Sequence, residues 1–418
     1  MRNNAIPAAG MVRRFSLRDT FVSLKYPNYR LWFIGQLISL VGTWTQTTAQ
    51  GYLIYQLTQS PEYLGYASFA NGLPSWLFTL YAGAIADRVP RRTLLVITQT
   101  SMLILAFVMA MLTFTNVIQW WHILILTFFL GISNAFDAPA RQAFVLEMVN
   151  REDMTNAIAL NSTMFNSALV LGPAFGGLIY AWVGPGWCFT INGITFLAVI
   201  IALLLMRLKP FVPIPRKGNT FGEVRVGMKY VMAHHEVRML IINLFVVTLF
   251  GLGFVTLLPA WAVAVLGGDA TTNGFLQAAR GFGSLIGALL VASTSRIRFR
   301  GKIWTFGSIM LPILMLVFAY THWLIPSLIA IALVGFATML IINLSNAMVQ
   351  TRILDEMRGR VMGIYVFFFF GAFPLGSLIA GWVAERIGEP ITVAISGGIL
   401  LLFSIGVVWR QPALRRME

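Results

Sequence analysis

The sequence predicts an all-α membrane protein of twelve transmembrane helices in two six-helix bundles, and three observations carry that reading. The 418 residues are 58% hydrophobic and 11% charged, with a mean hydropathy of +0.77, where a soluble domain carries about 25% charged residues. Apolar runs long enough to cross a bilayer, about 20 residues each, follow one another from Leu31 almost to the C-terminus. The basic residues that interrupt them fall in alternate connections rather than on one face or tail.

The predicted spans are 31–57, 64–86, 93–115, 121–143, 156–181, 187–206, 239–265, 271–294, 302–320, 323–345, 361–384 and 391–409. With the N-terminus in the cytoplasm, about 28 of the 30 Lys and Arg fall in cytoplasmic segments or at the inner ends of spans, the exceptions being Arg280, within a span, and Arg386, outside. Such positive-inside asymmetry places both termini in the cytoplasm and accounts for the net charge of +15 without a nucleic-acid partner. The stretch from Met1 to Lys25 has the basic charge of a signal peptide. The apolar run behind it is too long for one and lacks a small-residue cleavage site, so it stays as the first span. The spans divide into an N-terminal bundle (1–206), a cytoplasmic loop (207–238) and a C-terminal bundle (239–418). In the loop, Pro210, Pro213, Pro215, Arg216 and Lys217 precede Phe221, Val224, Met228 and Val231 at helical spacing, which predicts an amphipathic helix on the inner membrane face.

The halves also repeat. An offset of 204 residues carries Leu124 onto Leu328, Gly131 onto Gly335, Glu152 onto Glu356, Phe165 onto Phe369, Gly172 onto Gly376, Gly177 onto Gly381 and Gly184 onto Gly388. Two six-span halves of the same direction are an architecture of secondary transporters that rock around a central site.

At the end of the second span stands Gly83, and between the second and third stand Asp87, Arg88, Pro90, Arg91 and Arg92. Gly83 suits close helix packing, Asp87 can pair with a cation or with helix N-terminal donors, and the arginines anchor the loop at the inner lipid surface. This string resembles the G-x-x-x-D-R-x-G-R-R/K loop of the major facilitator superfamily, with Pro90 at the family's second glycine. The resemblance implies that Asp87 latches the halves on the cytoplasmic side against Arg358-Gly359-Arg360. In the fifth span, Gly172-Pro173-Ala174-Phe175-Gly176-Gly177 offers glycines for backbone approach and a proline for a bend. It is similar to the G-P-x-x-G-G core that antiporters of that superfamily carry, and implies export. Ala168 stands where those carry a further glycine, and Thr127 where classical proton antiporters carry an Arg. Phe136 to Phe144, Asn156 to Ser162 and Met357 to Gly363 resemble the enterobactin-exporter-like, or transmembrane secretion effector, branch.

Polar groups in hydrocarbon need a partner or a cavity. In the first span, Gln36, Ser39, Thr43, Gln46, Thr47 and Gln50 share one helical face, which either lines an aqueous cavity or hydrogen-bonds neighbouring helices. Asn166 and Asn343 are further cavity candidates. Arg280 lies near mid-membrane, where a cation costs about 2.5–3.5 kcal/mol on insertion scales. It either binds an anionic or catecholate-like group, contacts carbonyls, or snorkels. Asp137, with Arg141 one turn on, is either half of a salt bridge at the inner mouth or a protonatable coupling group.

A single cysteine, Cys188, excludes an internal disulfide, and no Cys/His spacing suggests a metal. Gly222 and Gly227 have P-loop spacing, but Met228 follows where the motif needs Lys. With no cofactor, ATP motor or catalytic constellation expected, the chain reads as a monomeric inner-membrane secondary transporter. The predicted activity is proton-linked export of an amphipathic organic compound, siderophore or drug. Uptake of a small solute is the alternative, and a non-transporting receptor or lipid-handling protein is a more distant one.

Overall fold

The computed structural model describes residues 21–86, 88–208, 220–293 and 299–411. Asp87, the loop residues Pro210, Pro213, Pro215, Arg216 and Lys217, the side chain of Phe221, and Arg296 and Arg298 lie outside what is described. The chain is helical: α1 (Pro27–Thr58), α2 (Pro61–Ala86), α3 (Arg91–Phe114), α4 (Trp120–Met148), α5 (Met154–Val183), α6 (Pro185–Leu205), α7 (Thr220–Ala233), α8 (His235–Val246), α9 (Ala270–Ser293), α10 (Arg300–Ala319), α11 (Leu324–Arg352), α12 (Asp355–Ile387) and α13 (Glu389–Arg410). Among the described residues, ten helices are long and apolar enough to cross a bilayer: α3 to α6, α8 with its continuation to Val265, and α9 to α13. Helices α1 and α2, of 32 and 26 residues, have the length at about 1.5 Å per residue but are more polar.

Glycine and proline set several boundaries. Gly184 and Gly388, matched by the sequence repeat, take positive φ of 90° and 85° and cap helices that open on Pro185 and on Glu389-Pro390. Only glycine adopts that backbone without strain, and proline suits the first helical turn because its missing N–H has no partner there. The seventh predicted span differs from a continuous helix. After Val246 it passes through a π turn (Val247–Leu252), a 3-10 stretch (Gly253–Leu257) and a second π turn (Trp261–Val265). Gly251, Gly253 and Pro259 explain the break: glycine loosens the helix and Pro259 removes a donor. The displaced backbone is used, because Gly253 lies against the main chain of Gly376 in α12.

In the first half, α1 packs on α5 and α6, α2 on α4, and α3 on α4 and α6; in the second, α9 packs on α11, and α10 on α11 and α13. Helix α7 lies against α12, with Gly227 at Arg360 and Ile364. Among the described residues, the two most extensive pairings that join the halves are α2 with α12 and α5 with α9, and smaller ones bring α1 to α9 and to Leu258–Ala260, and α2 to Gly253–Leu257.

Both joints are crossings of glycine on glycine. A Cβ added at Gly177 would lie 2.6 Å from the Ala270 oxygen and 2.9 Å from Gly274 Cα; one at Gly274 would lie 2.6 Å from the Pro173 oxygen and 2.8 Å from Gly177 Cα. At the other joint, a Cβ added at Gly65 would lie 2.9 Å from the Ser377 oxygen, and one at Gly381 2.8 Å from the Pro61 oxygen. Each glycine thus covers the carbonyl one turn before its partner. Nearby, Ser60 Oγ donates to Glu385 at 2.6 Å, Ser68 and Thr256 hydroxyls meet at 2.7 Å, and Asn273 Nδ2 donates to the Thr48 oxygen at 3.5 Å. All of these lie at the end of the molecule that holds the α1–α2 connection.

A larger side chain at one crossing is therefore expected to part the halves at that end. In Gly65→Leu, spin labels at Gln59 and Ile387 should move apart by about 2 Å or more, the range over which side-chain size sets interaxial distance. An unchanged label distance would show that the crossing does not hold this end closed.

Candidate functional site

The polar face of α1 is consumed mostly inside the first half. Gln46 Oε1 accepts from Asn192 Nδ2 of α6 at 2.7 Å, and Gln50 Nε2 donates to Thr127 Oγ1 of α4 at 2.7 Å. Thr45 donates to the Gly172 oxygen at 3.0 Å and Thr43 to its own helix at Ser39, 2.9 Å. Gln36 is buried, and its Oε1 has no partner among the described residues. Asn166 donates to the Ser162 oxygen at 2.8 Å and leaves Oδ1 unpaired. Asn343 is half-buried on α11. The proximity of Gln50 to Thr127 answers a question that spacing leaves open: threonine at that position supplies a neutral acceptor between α1 and α4.

Asp137 is 1% exposed on α4. Thr98 Oγ1 and Gln99 Nε2 of α3 each donate to its Oδ1 at 2.9 Å, and Arg141 Nε stands 3.4 Å from Oδ2. The carboxylate thereby ties α3 to α4 and is satisfied on both oxygens.

The basic residues after Asp87 strap the start of α3 to its neighbours. Arg91 pairs with Glu147 of α4, and Arg92 donates to the Leu204 oxygen at 2.8 Å, at the end of α6, where free carbonyls attract a cation. Arg88 is exposed. On α12, Arg358 pairs with Asp355 at 2.6 Å, and Arg360 Nη1 approaches Met357 Sδ at 3.6 Å. A cavity of about 530 Å³ lies beside Asp355 and Arg358, lined also by Gln350 and Leu354. The expected partner Asp87 is outside the described residues.

The Gly172-Pro173-Ala174-Phe175-Gly176-Gly177 string divides its work by face. Gly172 lies against Trp44 and Val41 of α1, and Gly176 against the Thr45 oxygen, while Gly177 turns to Gly274 across the joint. The repeat partners behave alike: Gly376 packs on Leu249 within its own half, and Gly381 on Gly65 across the other joint. Sequence reading missed Gly65 and Gly274. The repeat of Gly177 with Gly381 was the available signal, since equivalent residues predict equivalent joints.

Arg280 is the cation placed near mid-membrane by the sequence. It lies on α9, next to Gly281, which touches the Leu169 main chain of α5. Its Nε is buried, and among the described residues nothing accepts from it.

A sequence model of a family described as transmembrane secretion effector matches residues 18–418. The staphyloferrin A transporter of Staphylococcus aureus is 24% identical over 369 residues, covering 88% of this chain and 92% of its own length. The multidrug efflux pump Tap of Mycolicibacterium fortuitum is 27% identical, covering 88% and 91%. The enterobactin exporter EntS of Salmonella typhi is 24% identical, covering 92% and 94%. Among solved structures, a bacterial homolog of the human lysosomal transporter Spinster, inward-facing and unoccupied, superposes with a TM-score of 0.73 at 14% identity. It covers 96% of this chain and 98% of that one. The nucleoside transporter NupG gives 0.72 at 12% identity, covering 93% and 99%.

The geometry at Asp137 separates size from hydrogen bonding. Asp137→Ala leaves the Gln99 amide and the Arg141 guanidinium without this acceptor, and Thr98 with only the Leu95 oxygen at 3.0 Å, and is expected to cost about 2–3 kcal/mol. Asp137→Asn keeps an acceptor for Thr98 and Gln99 and should cost clearly less. Thermal unfolding in detergent reads the difference; equal losses would mean that the hydrogen bonds contribute little.

Proposed function

This chain belongs to the transmembrane secretion effector branch of the major facilitator superfamily, and we propose that it works as a proton-linked exporter of an amphipathic organic compound by alternating access. The relatives named above handle siderophores and drugs, and compounds of that kind are the proposed cargo. The protein is a multi-pass membrane protein, a transporter rather than an enzyme. In the finer reading, α1 and α2 complete twelve spans, grouped as a six-helix bundle in 1–206 and another in 239–418, joined by the loop 207–238. The chain acts as a monomer in the inner membrane with both termini in the cytoplasm.

One observation carries the mechanism. Among the described residues, the close approaches between the halves start at the end that holds Gly65 and Gly177 and continue past mid-helix as far as the Trp76–Phe367 ring pair at 5.6 Å and the Leu169–Gly281 contact. With the positive-inside orientation, that end is the outer one. Closure outside leaves the substrate route open to the cytoplasm, the state in which an exporter loads. Asp87, Arg88, Arg91, Arg92, Arg358 and Arg360 are proposed to close the inner end in the opposite state, and Gly172, Pro173, Gly176 and Gly177 to bend and seat α5 as the halves rock. Gln46 and Gln50 hold α1 in place, while Gln36, Thr43, Asn166, Arg280 and Asn343 remain the proposed substrate contacts. Asp137 with Arg141 braces the first half, and its carboxylate is also the proposed proton carrier.

Inside-out membrane vesicles test the direction. An acidic lumen is expected to drive accumulation of a catecholate or of tetraphenylphosphonium, and nigericin should abolish it. Accumulation only in right-side-out vesicles would identify an importer instead.

A further inference from the structure

Helices α2 and α9 carry one pattern twice. An offset of 209 residues places Gly65 on Gly274, Gly72 on Gly281 and Ser75 on Ser284. The contacts repeat with the residues. Gly65 and Gly274 are the crossing glycines of the two joints. Gly72 lies against Pro374 of α12, and Gly281 against Leu169 of α5. Ser75 donates to the Gly131 oxygen at 3.4 Å and Ser284 to the Gly335 oxygen at 3.2 Å. Gly131 in turn abuts the main-chain oxygen of Asn71, and Gly335 that of Arg280. Asn71 and Arg280 are thus the same position in two copies of one structural unit.

The equivalence also says where both side chains face. At 100° per residue, Ser68, Asn71 and Ser75 form one arc of α2, and Gln277, Arg280 and Ser284 the matching arc of α9. The opposite arcs carry exposed apolar residues, Tyr66, Leu77 and Tyr81 on α2 and Phe275, Ile286 and Leu290 on α9, which face lipid. The polar arcs therefore look inward, between the joint to the other half and the neighbour within their own. Snorkelling does not account for Arg280. It stands about 15 Å along α9 from Ala270, midway along the helix, with Nε buried on the inward arc. Carbonyl capping does not account for it either, since no described acceptor takes that donor.

We infer that these two arcs form the recognition surface of the transported compound, with Arg280 binding its anionic oxygen and Asn71 a neutral hydrogen-bonding group from the other half. The inference rests on the export reading only for the statement that the ligand is the cargo. It narrows the cargo to amphipathic compounds bearing a carboxylate or phenolate. The unlike pair has a physical logic. Two arginines facing one interior would repel, and two asparagines would not select an anion, whereas one of each orients a ligand with a charged and an uncharged end.

The test uses the full chain in nanodiscs and a matched pair of probes, 11-(dansylamino)undecanoate and its methyl ester, followed by tryptophan-to-dansyl energy transfer against protein-free discs. Wild type is expected to favour the acid over the ester by about ten-fold, as a charge-assisted contact would. Arg280→Asn should erase that preference without weakening the ester, with Arg280→Gln as a second neutral variant should the first misfold. Adding Asn71→Arg to Arg280→Asn should restore the preference. Equal affinity of wild type for both probes, binding of neither, or a preference that survives Arg280→Asn would overturn the anion assignment. Failure of Asn71→Arg to restore it would overturn the shared surface. Inside-out vesicles separate this from the export reading: pumping of acid and ester alike removes the inference and leaves export standing, while acid-selective binding without pumping supports the inference and sinks export.

Discussion

In hydrocarbon a polar group without a partner is costly, and that constraint sorts the buried chemistry of this protein. Gln46, Gln50 and Asp137 all meet it inside the first half, through Asn192, Thr127 and the Thr98–Gln99–Arg141 set. These contacts make α1, α3, α4 and α6 one unit, so that polar residues which look like a channel lining act largely as braces. Arg280 does not meet the constraint. Its Nε is buried with no acceptor among the described residues, and a cation at the centre of a span costs about 2.5–3.5 kcal/mol on insertion scales, a cost that a pairing ligand would offset in part.

The same economy of partners shapes the joints. Where two helices meet through glycine, main chain packs on main chain and no side chain has to be ordered, desolvated or moved aside. The two crossings are equivalent, Gly177 on Gly274 and Gly381 on Gly65, so the seam closes at two points on opposite sides of the molecule. A single crossing would leave the halves free to pivot about it. Two hold the halves along a line, so this end opens only when both crossings part.

Much of this was legible in the sequence, and the parts that were not have physical reasons. Long apolar runs and alternating basic loops identify spans because insertion into lipid acts on composition alone. The repeat at 204 residues announced the equivalence of Gly177 and Gly381, since glycines that bring backbones together cannot be replaced by other apolar residues. The equivalence of α2 with α9 needs a different offset, 209 residues, because the halves differ in length between the second and fourth spans of each. It rests on three small residues among apolar ones, which a single alignment of the chain on itself does not separate from chance. The polar face of α1 was visible, but periodicity gives the direction of a face and not its neighbour. The break after Val246 was hidden because apolar residues fill helical and π turns equally well; Gly251, Gly253 and Pro259 mark it only once the adjoining Gly376 is seen.

The strength of the seam matters as much as its position. Four glycines face four carbonyls across the joints, and contacts of the Cα–H to oxygen kind contribute roughly 0.5–1 kcal/mol each, about 2–4 kcal/mol together. Reversing a two-state population from 1:99 to 99:1 takes about 5.5 kcal/mol of differential binding, and one charge moved through 100 mV supplies about 2.3 kcal/mol. The four glycine contacts are one part of what holds this end, beside the Ser60–Glu385 and Ser68–Thr256 hydrogen bonds, and their share is of the size that one bound ligand or one or two charges moved across the membrane can offset. Interdigitated Leu or Phe at the same places would add about 1.5–3 kcal/mol per buried side chain, and the gradient would no longer suffice to part the halves. Backbone contact at both joints therefore lets this end be held closed and still open within each cycle.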